Sequence, residues 1–321
     1  MISRSIFTVI ILKLFKPSLT DIFMKIPLTF LGTGQAIPTA KRNHTSILLE
    51  YKDESIMIDC GEGTQRQFRK AKLNPCKLTK ILITHWHGDH ILGLPGLLQT
   101  LALNGYNRTL HIYMPQGTRY RMDLILKMFV FIGKIKYEIH ECEPGKIFEN
   151  SDFMIEAEKM EHGTPTLAYS FTEKSKIRIN KKKLEKLKIK GRIICELQKG
   201  KDIEWNGKKV KAKDLTYEEP EKKITIILDT NLNKNMLKIA SNSDLLVCES
   251  TYLEKETDAE GYESHLTAKQ AAETAKSAKV KRLILTHISQ RYDCKEKLLL
   301  EEARKIFKNT DIAEDLMRIE I

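Results

Sequence analysis

Four side chains able to bind a divalent cation fall within six residues, at His85, His87, Asp89 and His90, directly after the apolar run Ile81-Leu82-Ile83. Such a run reads as a short buried strand, so the cluster stands on a strand-to-loop junction where the backbone is held rigidly. Neutral imidazoles and a carboxylate suit a borderline ion such as Zn²⁺, with Mn²⁺ admissible where oxygen ligands contribute. A lone histidine is usually structural or merely exposed. Three with an aspartate at this spacing point to a metal loop.

The rest of the chain supplies a frame for that loop. Short β-rich runs punctuated by Gly, Asn and Asp predict strands over 26–31, 46–51, 55–59, 80–84, 110–114, 153–158, 166–171, 225–228, 245–248 and 282–286. Apolar periodicity predicts helices over 64–72, 94–103, 118–131, 267–278 and 295–307. At 321 residues and 41% apolar content the chain can bury a sizeable core. Two mixed sheets packed face to face and covered by helices, an α+β arrangement, fit this rhythm.

Charge is concentrated. The net charge is +12 overall, and residues 174–213 alone hold sixteen Lys or Arg against four Asp or Glu, the same excess. The stretch breaks the apolar periodicity and reads as an insertion. A localised basic block suits a polyanionic partner, because Lys and Arg that neutralise phosphates release condensed counterions. A solvated lysine-rich surface is the plain alternative. The six cysteines, Cys60, Cys76, Cys142, Cys195, Cys248 and Cys294, are scattered without the close spacing of a thiolate knuckle or redox pair, which fits a reduced, cytoplasmic setting. Residues 6–15 are apolar but interrupted by Lys13, too short to span a bilayer, and lack a convincing cleavage site for a signal peptide. Residues 1–23 are expected to be an extension, and 24–321 the domain, with Met24 as the functional start.

His-x-His-x-Asp-His after a strand resembles the signature of the metallo-β-lactamase superfamily. That resemblance implies an αββα sandwich with further ligands at strand-to-loop junctions, and three positions match: His162, Asp229 and His287. By the same resemblance His85, His87 and His162 would hold one ion, Asp89, His90 and His287 a second, and Asp229 would bridge them. Within the superfamily, Leu31-Gly32-Thr33-Gly34 with Pro38-Thr39 and Arg42-Asn43, then Asp59-Cys60-Gly61-Glu62-Gly63-Thr64-Gln65, Gly93-Leu94-Pro95-Gly96, Cys248-Glu249-Ser250-Thr251, His265-Leu266-Thr267 and Ile288-Ser289-Gln290-Arg291-Tyr292 resemble the motifs of the ribonuclease Z family. The resemblance runs through nearly everything from Met24 onward.

What it implies is a two-zinc endoribonuclease that removes the 3′ trailer from precursor tRNA by hydroxide attack on phosphorus. Asp89 would orient the nucleophile. His265, paired with Glu249, would protonate the leaving oxygen, and Arg42, Asn43 and Arg291 would position RNA. The basic insertion lies where that family carries a protruding arm, in the interval between His162 and Asp229. Its Lys190-Gly191-Arg192-Ile193 lacks the proline common in such arms, and Lys41 stands one residue farther from the proline than the lysine of several relatives. The family is also expected to be homodimeric and free of membrane. Two other readings share parts of the pattern: a phosphodiesterase for small or cyclic nucleotides, which needs no arm, and an inactive RNA-binding module, which needs no full ligand set.

Overall fold

The computed structural model describes residues 25–130, 134–256 and 264–321. The expected extension over 1–23 and the start at Met24 lie outside the described residues.

Alternation with period two decides the architecture. In the strand Ser46–Tyr51, Ile47, Leu49 and Tyr51 point to one side while Leu48 points to the other, and all four are buried. A strand apolar on both faces must be covered on both. The first sheet has seven strands in the spatial order Arg318–Glu320, Pro27–Gly32, Ser46–Tyr51, Glu54–Ile58, Lys80–Leu82, Thr109–Pro115 and Lys136–Cys142. The second also has seven, in the order Thr310–Ile312, Leu283–Thr286, Leu245–Glu249, Lys222–Ile227, Pro165–Glu173, Phe153–Glu161 and Gly145–Glu149.

The sheets face each other across one shared core, where Tyr51, Phe153 and Phe171 stand with ring centroids 5.0–5.7 Å apart. Removing each such ring from water contributes about 1.5–3 kcal/mol before chain entropy is charged against it. The outer faces are covered by helices. Leu94, Leu97, Leu98 and Leu101 of the helix Leu94–Leu103 seal the first sheet. On the second, Ala268, Ala271, Ala272 and Ala275 of the helix Ala268–Ser277 allow close approach, and its start is fixed by a capping box between Thr267 and Gln270. Helix, sheet, sheet, helix is the αββα sandwich.

Strand direction then places the chemistry. Glu54–Ile58, Lys80–Leu82 and Thr109–Pro115 run parallel, as do Lys222–Ile227, Leu245–Glu249 and Leu283–Thr286. Loops that follow parallel neighbours emerge at the same end, so residues distant in sequence share one edge of the sandwich. The sheets are pinned together beside it. The Leu167 amide donates to the Thr84 carbonyl at 2.9 Å, and the Tyr169 hydroxyl donates to the Ile83 carbonyl at 2.7 Å.

Between two strands that pair with each other, Glu173 opposite Lys222, the chain leaves the sheet for residues 174–221. This excursion has its own structure: Lys176–Ile179 pairs with Thr216–Glu219 as a stem, followed outward by the short helices Lys181–Lys186 and Ile193–Gln198 and a hairpin of Ile203–Trp205 with Lys208–Val210. A small separate core of Leu184, Ile189, Leu197, Ile203, Ala212 and Leu215 holds it. Lys176 and Arg178 are spent at the root on Glu173 and Glu219, each at 2.5 Å. Lys174, at the point of departure, pairs with Glu149 of the sheet at 2.6 Å.

Candidate metal centre

The loop after Lys80–Leu82 carries His85, His87, Asp89 and His90; the turn after Phe153–Glu161 carries His162; the ends of Lys222–Ile227 and Leu283–Thr286 carry Asp229 and His287. These seven converge into two groups sharing Asp229, one with His85, His87 and His162 and the other with Asp89, His90 and His287. The two oxygens of Asp229 divide the work. Oδ2 lies 3.4 Å from His162 Nε2 and 3.7 Å from His85 Nε2, while Oδ1 lies 3.0 Å from His287 Nε2 and 3.4 Å from His90 Nε2. His87 Nδ1 stands 3.1 Å from His162 Nε2, and Asp89 Oδ2 lies 3.2 and 3.5 Å from the Nε2 atoms of His90 and His287.

Ligand atoms about 2.0–2.1 Å from a tetrahedral ion stand about 3.3–3.4 Å apart. The separations in both groups fall around that value. The donor atoms also lack any other use, since His85 Nε2, His90 Nε2, His287 Nε2 and Asp229 Oδ1 are buried without a hydrogen-bond partner. Four orphaned polar atoms aimed at one another would be costly in a protein interior, and a cation in each group satisfies them. The residues present therefore fit a pair of divalent ions. His87 is exposed, so the centre opens to solvent on its side.

The surrounding shell sets four of the five imidazoles, those of His85, His90, His162 and His287, in the tautomer that leaves Nε2 as a lone pair, while His87 turns Nδ1 toward His162. Asp59 Oδ2 accepts from His90 Nδ1 at 2.6 Å and from the Thr84 hydroxyl at 2.7 Å. Having given its proton to Asp59, Thr84 Oγ1 accepts from His85 Nδ1 at 3.0 Å. The Ser264 carbonyl accepts from His162 Nδ1 at 2.7 Å. Thr251 donates to Glu249 Oε2 at 2.6 Å and accepts from His287 Nδ1 at 3.0 Å. Four histidines are thus oriented by acceptors that would bind no proton-free nitrogen. Asp59 and His287 hold left-handed backbone angles, φ 55 and 57°, which non-glycine residues adopt only where surroundings enforce them. In sequence, Asp59 and Thr251 stand within the Asp-Cys-Gly-Glu and Cys-Glu-Ser-Thr segments and Thr84 directly precedes the metal loop, but nothing there marks the three as supports of the imidazoles.

Electrostatics follow the packing. Burial pushes the His85 ring well below the usual histidine range, keeping it neutral. Burial opposes charge on Asp229 too, but His287 and His90 outweigh it and hold the carboxyl well below its ordinary value. His265, beside the centre, is likewise disfavoured as a cation by burial, yet the Glu249 carboxylate raises it to about 9. Its Nδ1 lies 3.2 Å from Glu249 Oε2, leaving Nε2 to donate. Glu249 is fully buried and its oxygens already accept from the Thr230 amide at 2.6 Å, from Thr251 and from His265, so it orients rather than ligates.

The RNA-positioning candidates occupy three different places. Arg42 is buried, and its guanidinium donates to Thr33 Oγ1 and the Ala313 carbonyl, both at 2.7 Å, so it braces the loop from inside. Asn43 donates to the Glu62 carbonyl at 2.6 Å and ties that loop to Gly63. Arg291 is exposed, 3.2 Å from Glu256 and 5.0 Å from the centre of the Tyr252 ring, which stands 6.1 Å from the His265 ring and steeply inclined to it. Of Gly32, Gly34, Gly61 and Gly63, only Gly63 has a positive φ. Gly61 serves close approach instead, for a Cβ there would lie 2.5 Å from the Asp89 carbonyl oxygen.

Known proteins resemble this chain over most of its length. A family model described as Anti-Pycsar protein Apyc1 matches residues 26–179. Ribonuclease Z of Methanothermobacter thermautotrophicus is 40% identical over 91% of this chain and 96% of its own length. That of Listeria welshimeri is 41% identical over 92% of this chain and 99% of its own. Among solved structures, the short form of human tRNase Z superposes with a TM-score of 0.66 at 28% identity, covering 91% of this chain and 98% of that one. The metallo-β-lactamase fold protein YhfI of Bacillus subtilis, 18% identical, gives a TM-score of 0.66 over 92% and 100% of the two chains, a likeness of fold alone. With two sheets of the metallo-β-lactamase fold, a His/Asp centre at their shared edge and identity at this level over nearly whole chains, the protein belongs to the ribonuclease Z family.

Proposed function

We propose that this protein is a metal-dependent endoribonuclease that cuts precursor tRNA at its 3′ end, releasing the trailer and leaving a tRNA 3′-hydroxyl. The observation that carries the reading is Asp229, whose two oxygens each face a separate set of ligand atoms. His85, His87 and His162 would hold one ion and Asp89, His90 and His287 the other, with Zn²⁺ suited to the nitrogen-rich donor set, two per subunit, and Mn²⁺ as substitute. Such a pair, when bound, lowers the pKa of water so that hydroxide is available near neutral pH, and neutralises charge on the phosphate.

The protein's own groups complete the reaction. Asp89 keeps one oxygen toward His90 and His287 and uses the carboxylate to orient the attacking water and take its proton. His265, charged and held by Glu249, gives a proton to the departing 3′ oxygen, the step in which an unprotonated alkoxide would otherwise leave. Arg291, stacked on Tyr252 next to His265, and Asn43, on the glycine-rich loop, are placed to meet the RNA ends; Arg42 supports them from beneath. The insertion over 174–221 meets phosphates remote from the cut, which fixes register without reading sequence. Homodimers, in which one subunit's insertion grips RNA cut by the other, and a cytoplasmic location complete the proposal. Among the described residues no helix is long and apolar enough to cross a membrane.

Incubating zinc-loaded protein with an end-labelled precursor tRNA and mapping the product termini tests this. A single cut at the 3′ boundary of the tRNA, leaving a 3′-hydroxyl, is expected. Hydrolysis of small phosphodiesters with no cut in the precursor would overturn it.

A further inference from the structure

A second convergence of metal-ligating atoms lies outside the Asp229 centre and shares no residue with it. His111 of the strand Thr109–Pro115 and Glu138 and His140 of its parallel neighbour Lys136–Cys142 bring three ligand atoms together. Register explains how. His111 is opposite Glu138 and Tyr113 opposite His140, so period-two alternation puts all four side chains on the same face of the sheet.

We propose that His111, Glu138 and His140 form a separate site for a divalent transition ion, zinc by preference, that clips the edge of the first sheet. His111 Nδ1 lies 3.1 Å from His140 Nε2 and 3.3 Å from Glu138 Oε2, and His140 Nε2 lies 3.8 Å from the same oxygen. These spacings bracket the about 3.3–3.4 Å expected around a tetrahedral ion with 2.0–2.1 Å bonds. Two imidazoles and one carboxylate are the open zinc donor set, with solvent completing the coordination.

A hydrogen bond between the rings accounts for the arrangement less well. One proton between Nδ1 and Nε2 leaves Glu138 facing the same two nitrogens with nothing to accept from them, whereas a cation takes a lone pair from all three. Lys80, paired with His111 in register, gives its charge to Glu54 at 2.7 Å. His140 is aligned by stacking on Tyr113, ring centroids 4.6 Å apart and 20° from parallel. The side chains keep 32%, 59% and 37% of their surface, so an ion can enter from solvent.

The place suggests the use. Among the described residues Lys136–Cys142 ends its sheet and pairs on one side only, and most of its own residues are exposed. An ion bound across it and the next strand joins the edge to the sheet by bonds that the unfolded chain lacks.

The test is zinc titration of the chelator-stripped protein, compared with His140→Ala and Glu138→Gln. The proposal expects wild type to bind one equivalent more than His140→Ala, whatever number the Asp229 centre takes. Glu138→Gln, a change at an exposed position that should not disturb folding, should weaken that equivalent by about tenfold or more, since losing a ligand costs at least what losing a ligand's support does. Melting temperature should rise with the extra equivalent in wild type and not in the variants, while precursor cleavage is unaffected. Equal stoichiometry and affinity in wild type and Glu138→Gln would overturn the proposal.

Discussion

Asp59 is the residue through which both halves of the metal centre are held, and Asp59→Asn exposes that role. Three donors meet its fully buried carboxylate: the Thr84 amide at 2.7 Å on Oδ1, and the Thr84 hydroxyl and His90 Nδ1 at 2.7 and 2.6 Å on Oδ2. Asparagine keeps one acceptor and replaces the other with an NH₂ that cannot accept. If the oxygen stays with the Thr84 amide, the NH₂ confronts His90 Nδ1–H. His90 then relieves the clash by moving its proton to Nε2, the atom that must bind the ion. Thr84 must also turn its hydroxyl, since an NH₂ can only donate to Oγ1, and this frees the rotor that Asp59 had fixed with its lone pair toward His85 Nδ1, so the other group loses its oriented ligand too. Losing support of this kind costs about 10–100-fold in metal affinity per site, or about 1.4–2.7 kcal/mol. Both ions should weaken, because His90 and His85 belong to different groups. Competition against a chromophoric chelator measures the two affinities, with a thermal melt to show that the fold persists. Affinities within about twofold of wild type for both ions would refute the tautomer argument.

Other expectations follow from the same geometry. His265→Ala should leave metal content intact while slowing precursor cleavage by about 10²–10⁴-fold, read in single-turnover assays; an unchanged rate removes it as the proton donor. Replacing residues 174–221 by a short glycine turn between the paired Glu173 and Lys222 should abolish tight precursor binding and flatten its salt dependence while a small chromogenic diester is still hydrolysed. Retained affinity for the precursor would take the insertion out of RNA binding. Gly93→Ala should lower the melting temperature, since a Cβ there would stand 2.0 Å from the Gly61 carbonyl oxygen, an overpacking that costs about 1–3 kcal/mol; a melt equal to wild type would show that the loop yields freely.

How much of this is written in the chain depends on distance along it. His85 to His90 can be read directly because their ligands are adjacent and follow a visibly apolar run. His162, Asp229 and His287 come from three loops of the other sheet, and only family resemblance singled them out before the parallel registers brought them together. Asp59 and Thr84 read as the last residues of two strands; their importance depends on the strand Glu54–Ile58 lying beside Lys80–Leu82, a long-range fact. Elements were missed where alternation carries charge instead of apolar side chains. Lys136–Cys142 and Gly145–Glu149 are largely exposed edge strands, and Thr310–Ile312 and Arg318–Glu320 are three residues each, too short to show a period. The expected helix over 118–131 is found as Arg119–Met128, with 131–133 outside the described residues. The basic stretch conceals a core because the residues that form it come singly between charged and polar ones, and its return strand Thr216–Glu219 is acidic and so falls outside a boundary drawn on charge.

The central claim is that one carboxylate joins two ions, and anomalous scattering at the zinc edge from crystals of the loaded protein tests it directly. Two peaks about 3.5–4 Å apart at this centre are expected, one beside each oxygen of Asp229 at about 2.0–2.2 Å. A single peak there, or two of which only one contacts Asp229, would contradict it.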